Sequence, residues 1–321
     1  MNFSDITIND RQFTVLHPLA QELNFNPQKN YLFDLSYLST ISVEGERASE
    51  FLQGQLSCNV AEVNSETIRQ GAMCNLQGRI LALLDVVAWQ GLQLVLPKDL
   101  ITATLSSLSK TAMLSRVKLT PNPSLQIFGF YLANEKDLLP TGIPLPLANL
   151  ALKSESDACC YQLSNQLYLI FIQEEKAVEL KESFEAKQQL RGSLAWHHLQ
   201  LEAKRVEIYP KTRGLFLPHR LDLHLSGYLS FDKGCYKGQE IIARTHYKAK
   251  RKHSLELFTI KTTEPVKAGA KLFSATGETE VGELIDYCPF GSNEYLIAVS
   301  ILLDKPKTVL IEGHSEVVLL E

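Results

Sequence analysis

Apolar and polar residues alternate with a period of two along Ile41-Ser42-Val43-Glu44 and stop at Gly45, which predicts a short strand. Ala48, Phe51, Leu52 and Leu56 then recur at helical spacing, with Glu46 and Glu50 in the early turns, where the helix dipole favours acids. Residues 68–74 and 80–96 read as strands, the first turned by Asn75-Leu76-Gln77-Gly78 and the second broken at Gln90-Gly91. An apolar stripe at 101, 105, 108 and 112 predicts a helix over 100–114. Residues 163–173 predict a strand, and 174–190 an amphipathic helix with Val178, Leu180 and Phe184 on its apolar side and Gly192 just past its end. Two stretches lack a period. The polar opening, ending near Pro27, reads as a lead-in arm, and the proline-rich segment 122–146 as a crossing between lobes.

After Lys252 the texture changes. Six short apolar runs, 254–261, 271–275, 281–288, 294–301, 308–312 and 316–320, are separated by Gly, Pro, Asn or Lys, with no helical period between them. That many strands in so short a span predict a small antiparallel barrel. The expected fold is therefore α+β, with mixed strands and helices over residues 1–250 and a six-stranded β-barrel over 251–321. A length of 321 residues suits two domains, at about 150 residues each.

Charge narrows the partners only a little. A net charge of -4 argues against a general nucleic-acid coat protein and leaves room for a local basic patch. The first twenty residues contain Asp5, Asp10 and Arg11 and no continuous apolar run, so no signal peptide is expected. The longest apolar stretch, 80–96, is broken by Asp85, Gln90 and Gln93 and is too polar to span a bilayer. Six cysteines, at 58, 74, 159, 160, 235 and 288, include no C-x-x-C pair, which suggests free thiols in a reducing, cytoplasmic setting without a permanent metal.

The segment Phe231 to Arg244, FDKGCYKGQEIIAR, is richest in chemistry. Cys235 lies between Lys233 and Lys237, and a nearby cation favours the thiolate. Gly234 and Gly238 permit a tight turn, and a helix starting at Gly238 would add its free N–H groups to the positive field. The plainer alternative is a packed, inert cysteine in a surface turn. Downstream, Lys248, Lys250, Arg251 and Lys252 form a basic run that could face a polyanion such as RNA phosphates, or simply be a solvated linker. His197-His198 are adjacent and do not share a helix face, so they suggest no metal site.

Four blocks carry a family resemblance. Lys233 to Glu240 is similar to the K-G-C-[FY]-x-G-Q-E signature of the YgfZ folate-binding proteins, with every fixed position present. ISVEGERASEFLQGQLSCNV, from Ile41 to Val60, resembles that family's N-terminal Q-G-Q block, and MCNLQGR, from Met73 to Arg79, its H-C-D-x-x-G-[KR] turn. WHHLQLEA, from Trp196 to Ala203, resembles its W-x-x-L-x-x-E-A segment. The blocks occur in the family's order.

The resemblance implies the fold of the glycine-cleavage aminomethyltransferase, here two interleaved α+β lobes over residues 1–250, and a tetrahydrofolate ligand whose glutamyl tail the basic run at 248–252 could face. It implies that Trp196 contacts the folate, that Glu202 reads the pterin edge, and that Tyr37 or Leu38 supplies a second contact. To the same ligand it assigns Gln239, Glu240 and Arg244, and to Cys235, tuned by Lys233, the reactive role. With Glu202 and Trp196 on one ligand, Leu199 to Ala203 should be extended, with a break after His198. The implied activity is support of iron–sulfur cluster assembly or repair and thereby of tRNA thiolation, with iron–sulfur client enzymes or assembly proteins as partners and tRNA contact at 248–252. Departures are also present. Residues 79–83 lack the paired acids of the aminomethyltransferases, and Asp85 lies further along. That counts against a folate-dependent one-carbon transferase or demethylase, which stays an alternative beside a tRNA-binding module.

Overall fold

A computed structural model describes residues 5–26, 28–133, 142, 144–164, 166–304 and 306–321. Among the described residues the α-helices are α1 (Leu19–Glu22), α2 (Ala48–Gln53), α3 (Lys98–Leu114), α4 (Glu174–Ala186), α5 (Ser193–Glu202) and α6 (Gln239–Lys248). The rest of the regular structure is mostly strand.

Two sheets share the first part of the chain. One has five strands in the order Arg69–Cys74, Ile80–Ala88, Leu92–Pro97, Leu38–Glu44, Lys118–Asn122. The other has six, in the order Leu152–Ser154, Ala158–Ser164, Leu167–Gln173, Leu125–Tyr131, Tyr31–Asp34, Leu190–Arg191. The chain enters the six-stranded sheet at Tyr31, leaves to build the five-stranded one, and returns at Leu125, so the two are interleaved. The third sheet holds His253–Lys261, Glu294–Leu302, Glu280–Gly291, Lys271–Phe273, Thr308–Ile311 and Val317–Leu319, with antiparallel neighbours throughout. Thr259 and Glu321 exchange backbone hydrogen bonds at 2.8 and 3.2 Å, which curls its last strand back onto its first. The α+β, aminomethyltransferase-like architecture read from the sequence is what forms.

Several expectations need correction. The opening arm is a hairpin, Ile6–Ile8 with Arg11–Phe13, whose Arg11 and Phe13 are buried. Arg11 donates to both carboxylate oxygens of Asp99 and to Glu207 and Ile208, a network that compensates a charge that would otherwise be costly to bury. The supposed crossing after Asn122 contains Leu125–Tyr131, a central strand; residues 134–141 and 143 of that segment lie outside the described residues. Residues 163–173 hold a turn rather than one strand, because Ala158–Ser164 and Leu167–Gln173 pair antiparallel. Helix α4 stops at Ala186, since Leu190 and Arg191 pair with Leu32 and Phe33. Its buried stripe is Ala177, Leu180 and Phe184, and Val178 is exposed, as 3- and 4-residue spacing requires. Helix α5 runs unbroken from Ser193 to Glu202, so the extended segment and the break after His198 do not occur. No described helix is long and apolar enough to cross a membrane.

Candidate functional site

Three sequence blocks that are far apart in the chain meet around Cys235. Gly238, at φ +85°, caps α6, and a Cβ there would lie 2.4 Å from the Asn75 carbonyl oxygen and 3.1 Å from the Gly78 Cα. Gly78, itself at φ +70°, packs under Ile241 of α6. On the other side the Lys237 amide donates to the Gly54 carbonyl at 3.1 Å. The Q-G-Q loop at Gly54, the N-L-Q-G turn at Gly78 and the K-G-C-Y-K-G-Q-E segment at Lys237 and Gly238 thus meet in one assembly. At Gly238 and Gly78 only a residue without a side chain allows so close an approach.

Lys233 holds this assembly together. Its Nζ donates to the carbonyls of Gln53, Leu56 and Cys58 at 2.7, 2.6 and 2.8 Å and lies 4.9 Å from the centre of the Tyr236 ring. Burial pushes its pKa down to about 8, a shift opposed by Cys58, so at neutral pH the ammonium still has three N–H groups for three carbonyls. The three N–H groups of the ammonium are therefore committed to the 53–58 loop, which leaves none to donate to Cys235. Among the six cysteines Cys235 alone is exposed. It stands in an open cleft with Gln55, Leu76, Thr111, Gln239 and Glu240. Gln239 turns its Oε1 to the Tyr236 amide at 3.3 Å, and Arg244 is exposed on α6.

The second site is a chamber between the five-stranded sheet, α5 and the 205–207 segment. Its lining includes Tyr37, Leu38, Asp85, Trp196, Gln200 and Glu207. The cavity is about 80 Å³ and adjoins an outer one of about 320 Å³; Leu83, Arg205, Val206 and Tyr228 line both. Asp85 is buried, accepts from Gln70 Nε2 and the Tyr161 hydroxyl at 2.7 Å each, and is pushed above the usual carboxylate range by burial, against the pull of Arg205. Glu207 accepts from the Tyr37 hydroxyl at 2.9 Å and from Arg11 at 3.0 Å. Gln200 accepts from Arg205 Nε at 2.8 Å.

The expected folate residues divide between these places. Trp196 and Leu38 line the chamber, as does Tyr37. Trp196 is only 2 % exposed and packs against Gly129 and Phe33, so it forms a wall and has no open face for stacking. Glu202 is corrected: its side chain is 56 % exposed at the end of α5, 3.7 Å from His198 Nε2, because six residues along a helix turn it about 120° from Trp196. Gln239, Glu240 and Arg244 line neither chamber, and the first two belong to the Cys235 cleft. The polar wall groups Asp85, Gln200 and Glu207 were missed. Helical spacing offered one of them, since Gln200 is four residues after Trp196. Among the described residues no cluster of His, Cys, Asp and Glu is placed to hold a metal ion.

No family model matches the chain. Curated relatives called tRNA-modifying protein YgfZ do match: that of Sodalis glossinidius is 26% identical over 77% of this chain and 76% of its own. That of Buchnera aphidicola is 28% identical over 76% of this chain and 79% of its own, and that of Colwellia psychrerythraea 25% identical over 78% of each. Among solved structures, the glycine cleavage system aminomethyltransferase T of Bartonella henselae superposes with a TM-score of 0.73, covering 99% of this chain and 92% of its own at 18% identity, a likeness of fold. The resemblance to the YgfZ proteins first carried by four short blocks thus holds over the 251 to 254 residues matched, on an aminomethyltransferase-like fold.

Proposed function

We infer that this chain supports tRNA modification, as the names of its relatives suggest, by binding a reduced folate in the chamber and presenting Cys235 in the separate cleft. One observation carries the folate part of this reading: a buried acid, Asp85, and a buried amide, Gln200, stand with Tyr37 and Trp196 in one chamber. Carboxylate and amide groups are what the polar edge of a pterin requires, and Tyr37 and Trp196 wall the space beside them. The inner cavity is smaller than a bicyclic ring, so the ring would take the inner chamber together with part of the outer one, displacing side chains of their shared wall. Tetrahydrofolate supplies one-carbon and electron-donating chemistry when bound; the residues of this chain would hold and orient it.

The exposed thiol suits transient contact with a client, and iron–sulfur assembly or repair, with tRNA thiolation downstream, is the role we assign to it. The decisive experiment pairs two measurements. Calorimetric titration with tetrahydrofolate should show binding by wild type that is weakened in Asp85→Asn. Cells carrying Cys235→Ala should lose thiolated tRNA while the purified variant still binds folate. Failure of wild type to bind any folate would remove the chamber's role, and normal thiolation in Cys235→Ala cells would remove that of the cleft.

A further inference from the structure

Helix α5 turns Trp196 and Gln200, one helical turn apart, into the inner chamber. Gln200 is 8 % exposed. Its Oε1 accepts from Arg205, and because a guanidinium has donors only, that bond fixes which end of the amide is oxygen. Nε2 is therefore directed away from Arg205, and it is buried without a hydrogen-bond partner. A buried N–H group without an acceptor is destabilising, and native proteins leave few of them. Its natural complement is a ligand oxygen.

Resting on the folate reading above, we propose that Gln200 is the specificity-determining residue of the chamber: its free Nε2–H donates to the ring carbonyl of a 4-oxo pterin and so selects 4-oxo over 4-amino rings. Asp85 lines the same chamber and retains lone pairs beyond those used by Gln70 and Tyr161. It can accept the ring N–H beside that carbonyl. Donor and acceptor together match a lactam edge. A 2,4-diamino ring places an amino group against the Gln200 amino group, donor against donor, and the buried N–H stays unpaired.

The test uses the full-length protein and two ligands that differ only at this position, folic acid and its 2,4-diamino counterpart aminopterin, at a pH where both rings are neutral. Wild type should bind folic acid at least about tenfold tighter, the usual worth of one buried hydrogen bond. Gln200→Glu keeps the shape and replaces the donor with an acceptor, so it should abolish or reverse the preference. Equal affinity of wild type for the two ligands, or an unchanged preference in Gln200→Glu, overturns the proposal. Binding of neither ligand by wild type overturns the proposal, and failure of tetrahydrofolate to bind as well overturns the folate reading, a distinct result. Thermal melts of the variant run in parallel; should Gln200→Glu fail to fold, the wild-type preference decides alone.

Discussion

Gly238 and Gly78 lie so close that a methyl group on Gly238 would come within 3.1 Å of the Gly78 Cα and 2.4 Å of the Asn75 carbonyl oxygen. The start of the helix behind Cys235 is therefore seated on the 75–78 turn by backbone contact. Gly238→Ala combines that clash with a positive φ, which alone costs an L-residue about 1 kcal/mol. It should lower stability by more than about 2 kcal/mol, read from chemical denaturation. A variant as stable as wild type would show that the two turns are not in register.

Lys233→Met removes the donors of three backbone carbonyls. Leaving buried acceptors unpaired should cost on the order of 3 kcal/mol, with increased proteolysis within residues 53–58. Lys233→Arg, too bulky for the same cage, should not rescue it. A near-neutral Lys233→Met would mean that water replaces the ammonium.

Cys235 should be the one thiol that reacts in the native protein, because the other five are buried. Mass spectrometry after brief alkylation should find a single adduct at Cys235, and Cys235→Ala should change stability by under about 0.5 kcal/mol. Adducts at Cys58 or Cys288 before unfolding would contradict the packing described.

Glu202→Gln should leave folate binding unchanged, since the half-exposed Glu202 lines neither part of the chamber, while Gly129→Ala should weaken binding. A Cβ at Gly129 would approach the Trp196 ring to 2.4 Å and push that wall into the chamber. Calorimetry on both variants decides it; the opposite pattern would return Glu202 to the site.

Acid should destabilise the protein through His219. Its ring lies 4.9 and 5.9 Å from those of His224 and His246, and burial, followed by these neighbours, holds its pKa down to about 4. The folded pKa is below the unfolded value of about 6.5, so the unfolded chain binds more protons between these pH values. The contribution is present above pH 6.5 and is lost as pH falls towards 4, by about 1 kcal/mol at pH 5 once solvent screening of a half-buried ring is allowed for. His219→Asn should flatten that part of the stability–pH curve, and an identical curve would rule the residue out.

How much of this was legible beforehand follows from where the information resides. Alternation along Ile41 to Glu44 and the six runs after Lys252 are local signals, and those strands formed as read. The three-residue strands of the opening hairpin are too short to show a period, and Arg11 there looks like any surface charge until Asp99 and Glu207 meet it. Flanking cysteine on paper, Lys233 is drawn inward by carbonyls some 175 to 180 positions earlier, a pairing that no local pattern encodes. Glu202 stood out by its match to a family segment, whereas the plain arithmetic of a helix, applied from Trp196, leads to Gln200.

Helix α5 also touches the third sheet. His197, the neighbour of Trp196, is wholly buried, with Nε2 3.1 Å from the Tyr287 carbonyl and 3.4 Å from Asp286, and Asp286 accepts from the Tyr209 hydroxyl and the Glu207 amide. The wall of the inner chamber and the curled C-terminal sheet are consequently fastened at adjacent residues of one helix. A molecule that braces Trp196 braces strand Glu280–Gly291 as well, so occupancy of the chamber should slow amide exchange in a strand that contributes nothing to its lining.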